Sequence, residues 1–263
     1  MNTFEIVLDI GQVIPYNLNM FKQAQGKHKA GGEATREAIL ATALETFRQR
    51  GLEAATMREI AKSAGVALGA AYYYFPGKEA IVQAYYDRVQ VEHLARVSAE
   101  LAGGKYDLLE RMRIAFRTKL DVLQGDRKLL GTLFRYTGEP DHPLSVLGPG
   151  TRANREQSIA VFALAVGDER FPEDVRAVLP SVLWALHLGI LLYFIYDNSP
   201  GQERTRKLSD GLLQLLVRLL SLVKSPLLKP VRGSLFTLLR DAGFFAEPSS
   251  PAAVSSLSLN EEA

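Results

Sequence analysis

The chain has 263 residues, 47% of them hydrophobic, enough to bury a core in one or two domains. Its 31 basic and 29 acidic side chains leave a formal net charge of +2, so total charge by itself names no nucleic-acid partner. It has no cysteine, which excludes disulfides, thiolate chemistry and Cys-ligated zinc and suits a reducing, cytoplasmic setting.

The first stretch, MNTFEIVLDIGQVIPY, carries Glu5 and Asp9 and has no basic start before its apolar residues, so it reads poorly as a signal peptide. Residues 1–33 are expected to be a flexible leader, locally basic at Lys22, Lys27 and Lys29. A run of short helices follows. In the first, Ile39, Leu40, Ala43, Leu44 and Phe47 fall on one face, and Gly51 stops it. The second opens at Thr56 with Glu59 three residues on, a capping box, and buries Ile60, Ala61 and Ala64. Gly65 supplies the turn, where φ must be positive. The third helix spans about 67–74 and ends in FPGKEA, and a fourth runs from Lys78 to about Leu101.

Four aromatics in a row, Tyr72 to Phe75, close the third helix. Successive helical side chains lie about 100° apart, so one buried stripe cannot hide all four. With Ala71 and Phe75 inward as an i, i+4 pair, Gly69, Tyr72 and Tyr73 make the outward face. Tyrosine stacks its ring on sugars and base methyls and donates its hydroxyl to phosphate or a base edge. Two short helices joined through SAGV form a helix-turn-helix. Lys78 at the start of the next helix adds a cation to free backbone N–H groups, a seat for phosphate, and Thr56 offers a second.

From 105 on, the helices read longer and more apolar. Two of them, at about 174–197 and 202–223, are predicted to pair with a second chain. The later one keeps a single narrow polar stripe: Lys207, Asp210, Gln214, Arg218 and Ser221. VLWALHLGILLYFIY, Val182 to Tyr196, is apolar but shorter than the about 20 residues of a membrane span, so a helix buried in protein is expected. An apolar cavity in this region would draw on Phe116, Phe134, Tyr136, Phe162, Trp184, His187 and Tyr193, and would suit a hydrophobic or aromatic ligand. After 225 the chain thins to a short helix and a polar tail. The four histidines show no metal-ligand spacing and no phosphate-binding glycine loop appears, so no catalytic set, metal or cofactor is expected.

Residues 35–81 resemble the DNA-binding domain of TetR-type transcriptional regulators. The resemblance rests on AILATALETFRQRG and TMREIAKSAGVALGAAYYYFPGKEAI. It implies an all-α homodimer on pseudo-palindromic operator DNA, with a larger helical ligand-binding domain after the helix-turn-helix. It also implies that Gly69 and Tyr72 approach bases while Thr56, Tyr73, Tyr74 and Lys78 hold phosphates. Ala67 stands where the family usually has Ser or Thr, and Leu68 where a polar residue is common. The expected organisation is a leader at 1–33, a helix-turn-helix domain at 34–80, a ligand-binding and dimerisation domain at 81–225, and a short helix with a tail at 226–263. The leading functional expectation is a repressor released by a small apolar ligand. The alternatives are a DNA-binding dimer with no small-molecule effector and, last, an enzyme or lipid carrier.

Overall fold

The computed structural model describes residues 30–223 and, beyond them, positions 230, 233, 234, 237, 238 and 241. The leader up to residue 29 and the tail at 246–263 lie outside the described residues, as does most of the short helix expected after 225. Among the described residues there are helices and no strands. They are α1 (Ala30–Ala54), α2 (Met57–Ser63), α3 (Leu68–Tyr74), α4 (Lys78–Ala102), α5 (Leu108–Leu123), α6 (Arg127–Thr137), α7 (Arg152–Val166), α8 (Glu173–Tyr196) and α9 (Glu203–Val223). The first helix starts at Ala30, a few residues inside the segment expected to be leader.

The short helices obey local rules. Gly51 sits at φ 80°, breaking α1 near its end, where an L side chain would be strained. Thr56 caps α2: its hydroxyl accepts from the Glu59 N–H, and Glu59 accepts in return from the Thr56 N–H at 3.1 Å. Gly65, at φ 69°, ends α2, and the Val66 N–H closes back on the Ala61 carbonyl at 3.0 Å, which satisfies the last turn. Ile39, Leu44, Phe47, Ile60, Ala71 and Phe75 are all buried, so α1, α2 and α3 share one small core with the start of α4.

α4 belongs to both halves. Its first turns touch α1, and further along it packs on α5 and α7. Ile81, Val82, Tyr85, Val89, His93 and Val97 are buried along it at helical spacing. α5, α7 and α8 complete the larger core, with α6 bridging α1 and α8. The turn between α8 and α9 is tied by Asp197, whose carboxylate accepts from the N–H and hydroxyl of both Ser199 and Thr205 at 2.7–2.9 Å.

α8 is the one described helix long and apolar enough by composition to cross a membrane. Its apolar residues divide between two faces. Leu183, His187, Ile190 and Phe194 are buried, while Leu192, Tyr193 and Tyr196 are exposed. α9 divides in the same way: Leu213 and Leu220 face the core, and Leu208, Leu215, Leu219 and Leu222 face outward. Leu216 is half-buried against the chain's own core.

Candidate nucleic-acid interface and ligand cavity

The helix-turn-helix presents α3 outward. Tyr73 is 69% exposed and Tyr72 49%, whereas Ala71 and Phe75 are buried beneath them. Tyr74 is half-buried, and its ring meets Tyr73 edge-on at 5.1 Å, which fixes the outer tyrosine's plane. Gly69 is exposed, and a Cβ built there meets nothing within 4 Å. Packing therefore does not require glycine in this helix, and helix propensity disfavours it by about 1 kcal/mol. Leu68, ambiguous by spacing, packs partly on the core, and Ala67 begins α3 with no side-chain cap.

Thr56 is exposed at the start of α2. Its hydroxyl also donates to Glu59 Oε2 at 3.0 Å, and Arg50 holds Glu59 at 2.7 Å. Lys78 opens α4. Its ammonium does not point outward from α4 but turns back to donate to the Leu52 carbonyl at 2.6 Å and the Glu53 carbonyl at 3.2 Å. It ties the end of α1 to the start of α4, a partner for carbonyls that a helix end leaves unsatisfied. Two exposed cations one turn apart on α2, Arg58 and Lys62, were missed from the sequence. Neither makes an ion pair among the described residues. Their i, i+4 spacing beside Thr56 was the available signal.

The body holds a cavity of about 130 Å³ between α4, α5, α6, α7 and α8. Of the seven aromatic and histidine candidates, Phe134, Trp184 and His187 line it. The other four do not. Phe116 and Phe162 are buried behind the wall, their rings 6.0 and 5.4 Å from that of His187. Tyr136 stacks on His142 at 4.7 Å and donates to Glu53 at 3.0 Å. Tyr193 lies on the exposed face of α8. Aromatic character alone did not separate wall from core, because both faces of each helix are apolar.

The cavity wall also contains polar groups. Lys119 is buried, donates to Gln90 Oε1 at 3.0 Å, and is pushed by burial down to about 7. His187 is buried and neither of its ring nitrogens has a hydrogen-bond partner. Burial, then the nearby Lys119 charge, holds its pKa well below the ordinary histidine value. His93, behind the wall, bonds through Nε2 to the Ala115 carbonyl at 2.8 Å, and burial pulls it down to about 3. Tyr85 connects this wall to the helix-turn-helix. Its hydroxyl donates to Asp126 at 3.0 Å, and Arg48 of α1 donates to the same carboxylate at 3.1 Å.

Two family models match the chain: "Bacterial regulatory proteins, tetR family" over residues 39–85 and "Tetracyclin repressor-like, C-terminal domain" over 111–233. An uncharacterized HTH-type transcriptional regulator of Mycobacterium tuberculosis, Rv1255c, is 28% identical over 172 residues, 65% of this chain and 81% of that protein. The HTH-type regulator SrpR of Pseudomonas putida is 45% identical over 58 residues, 22% of this chain and 27% of its own. Among solved structures, a TetR regulator from Nitrosomonas europaea aligns over 68% of this chain and 96% of its own, with TM-score 0.56 and 23% identity, a likeness of fold. Thermus thermophilus FadR, a repressor solved with lauroyl-CoA, aligns over 68% and 93%, with TM-score 0.50 and 26% identity.

Proposed function

This chain belongs to the TetR family of DNA-binding transcriptional regulators, and from that premise we propose that it is a homodimeric, cytoplasmic repressor released from its operator by a small ligand in the helical body. Residues 34–80 act as the reading head and 81–225 as the ligand-binding and dimerisation body. The observation that carries the reading is the outward face of α3: Gly69 left without a packing reason beside the exposed Tyr72 and Tyr73. Gly69 and Tyr72 meet base edges, while Thr56, Tyr73 and Tyr74 meet phosphates with the backbone N–H groups opening α4. Lys78 serves that seat from behind by fixing where α4 begins. Arg58 and Lys62 add phosphate contacts from α2.

Dimerisation uses the outward faces of α8 and α9. Leu192, Tyr193, Tyr196, Leu208, Leu215, Leu219 and Leu222 form a large exposed apolar surface on one protomer. A stable pairing there buries on the order of 1,500 Å² or more. It sets the two α3 helices about 34 Å apart, one turn of DNA, so that a palindromic site is read twice.

Ligand release runs through α4. Its wall residues Tyr85, Tyr86, Val89 and Gln90 touch the cavity, and its first turn carries the phosphate seat. A ligand that displaces Tyr85 disturbs its bond to Asp126 and, with it, the hold on Arg48 of α1. The Thermus repressor, solved in complex with lauroyl-CoA, supports a small ligand for such a fold. The cavity here has about the volume that takes one aromatic ring.

The test starts from a DNA pool from which the protein selects its own site. Tyr72→Ala is expected to change preference among variants of that site, whereas a loss of affinity equal on all variants would make Tyr72 a backbone contact.

A further inference from the structure

We propose that the cavity between α4, α5, α6, α7 and α8 is built for an organic anion, an aromatic acid of one ring whose acidic group is held by Lys119 and His187 while its ring lies against Trp184 and Phe134. The proposal rests on the reading of this cavity as an effector site and names the chemistry of the effector.

A buried lysine without a countercharge opposes folding, because burial penalises its charged form. Lys119 could be replaced by a methionine of similar reach with no loss to the core. Among the described residues its ammonium donates to Gln90, and an ammonium has three donors. No Asp or Glu lines the cavity among the described residues, so nothing in the wall neutralises it. Arg155, on the rim, is a second cation, directed at the Val146 carbonyl at 2.9 Å.

His187 adds an independent observation. It is 3% exposed, it lines the same cavity, and both ring nitrogens lack partners. Buried polar atoms are nearly always bonded, and an orphaned one costs about 1–3 kcal/mol. A neutral imidazole presents one N–H donor and one acceptor. A carboxylate or phenolate answers both needs: it neutralises Lys119 and accepts from the His187 N–H. Leu133, Leu188 and Leu191 with the two rings give the wall an apolar part, which suits the body of an aromatic acid, while Thr137, Thr151, Asn154 and Ser158 are neutral polar groups in the same wall. A neutral hydrocarbon would fill the space and leave the lysine and histidine as they are.

Trp184 is the chain's one tryptophan and stands in the wall, so its emission reports occupancy without a label. The probes are benzoate and 4-methylbenzoate, each against its neutral amide, titrated to millimolar concentration into full-length protein. The acids are expected to quench Trp184 and to bind at least about tenfold more tightly than the amides, the factor that one charge-assisted hydrogen bond supplies. Lys119→Met is expected to erase that preference while the amides still bind. His187→Phe is expected to weaken both acids.

A calorimetric readout covers the case in which a variant does not fold. Binding an anion raises the proton affinity of Lys119, so wild-type protein is expected to take up protons on binding above about pH 7. Of the other titratable groups, His93 on α4 and His187 on α8 feel the Lys119 charge and are already neutral at that pH, while Tyr85 and Tyr86 on α4 and Arg155 on α7 share its cavity. Equal affinity for acids and amides, absence of any quenching, or binding without proton uptake would overturn the anion site. Acids that bind as described but leave operator affinity unchanged would sustain the anion site and overturn the ligand-release reading instead.

Discussion

The head and the body treat their polar groups in opposite ways. In the head, Thr56 and Glu59 satisfy one another, Arg50 holds Glu59, and Lys78 serves the carbonyls that end α1. Its exposed aromatic surface is outside, on Tyr72 and Tyr73 beside Gly69. In the body α8 and α9 expose leucines and tyrosines, and polarity lies inside, on the unbonded ring of His187 and on Lys119, which has a bond to Gln90 and no carboxylate in its cavity wall. A surface that reads a charged polymer needs a rigid frame and exposed donors. A pocket that selects a small molecule needs donors that nothing else has claimed. The contrast assigns one kind of ligand to each region, and each assignment can be broken separately.

The largest effect is expected at the dimer face. Leu215→Glu with Leu219→Glu changes two exposed positions, so each protomer should still fold. The pair should shift light scattering from dimer to monomer and lower operator affinity by about 10²-fold or more, since two heads no longer bind as one. Leu216, half-buried, is a poorer site for this test because a charge there also disturbs the core.

The buried lysine comes next. Its ordinary value is 10.5 and burial brings it to about 7. Between the two, the unfolded chain holds a proton that the folded chain lacks, so stability should rise with pH across this window and be lowest, with the full penalty present, below about pH 7. The rise should be on the order of a few kcal/mol. Lys119→Met should melt higher than wild type at neutral pH and lose this component of the pH dependence; parallel melting curves for the two proteins would contradict the burial.

Asp126 joins the two regions, and Asp126→Asn tests the joint. It should weaken the bond that Arg48 and Tyr85 share and reduce the effector's influence on DNA by about 1–2 kcal/mol, within the usual range of coupling energies. Ligand affinity for the free protein should change less than the coupling does. Lys78→Ala should cost about 1 kcal/mol of stability from lost hydrogen bonds. It should lower DNA affinity with an unchanged salt slope; a slope reduced by about one unit would place its ammonium on phosphate after all. The smallest effect belongs to Ala67→Ser, which should cap α3 and raise the melting temperature by an amount worth about 0.5–1 kcal/mol.

The head was the more legible region. Its signals are short-range: a capping box across four residues, a glycine at a positive φ, an i, i+4 pair of inward residues. Each fixes geometry before any distant contact forms. Lys78 is the exception, since its partners lie 25 and 26 residues away and no local pattern points to them. The body was legible as helices and as a dimer candidate, but its cavity was not. Phe116 and Phe134 are equally aromatic, yet one is core and the other wall, and only the packing of five helices decides between them. Lys119 was passed over because a lone lysine within a helix ordinarily faces water.

The central claim is that cavity and operator are linked, and one titration tests it most directly. Benzoate is titrated calorimetrically into free protein and into the protein bound to its selected DNA site. Linkage requires the acid to bind the complex more weakly, by the same factor by which it lowers affinity for DNA. Equal affinities in the two titrations would contradict the account and leave a DNA-binding dimer whose cavity has no part in regulation.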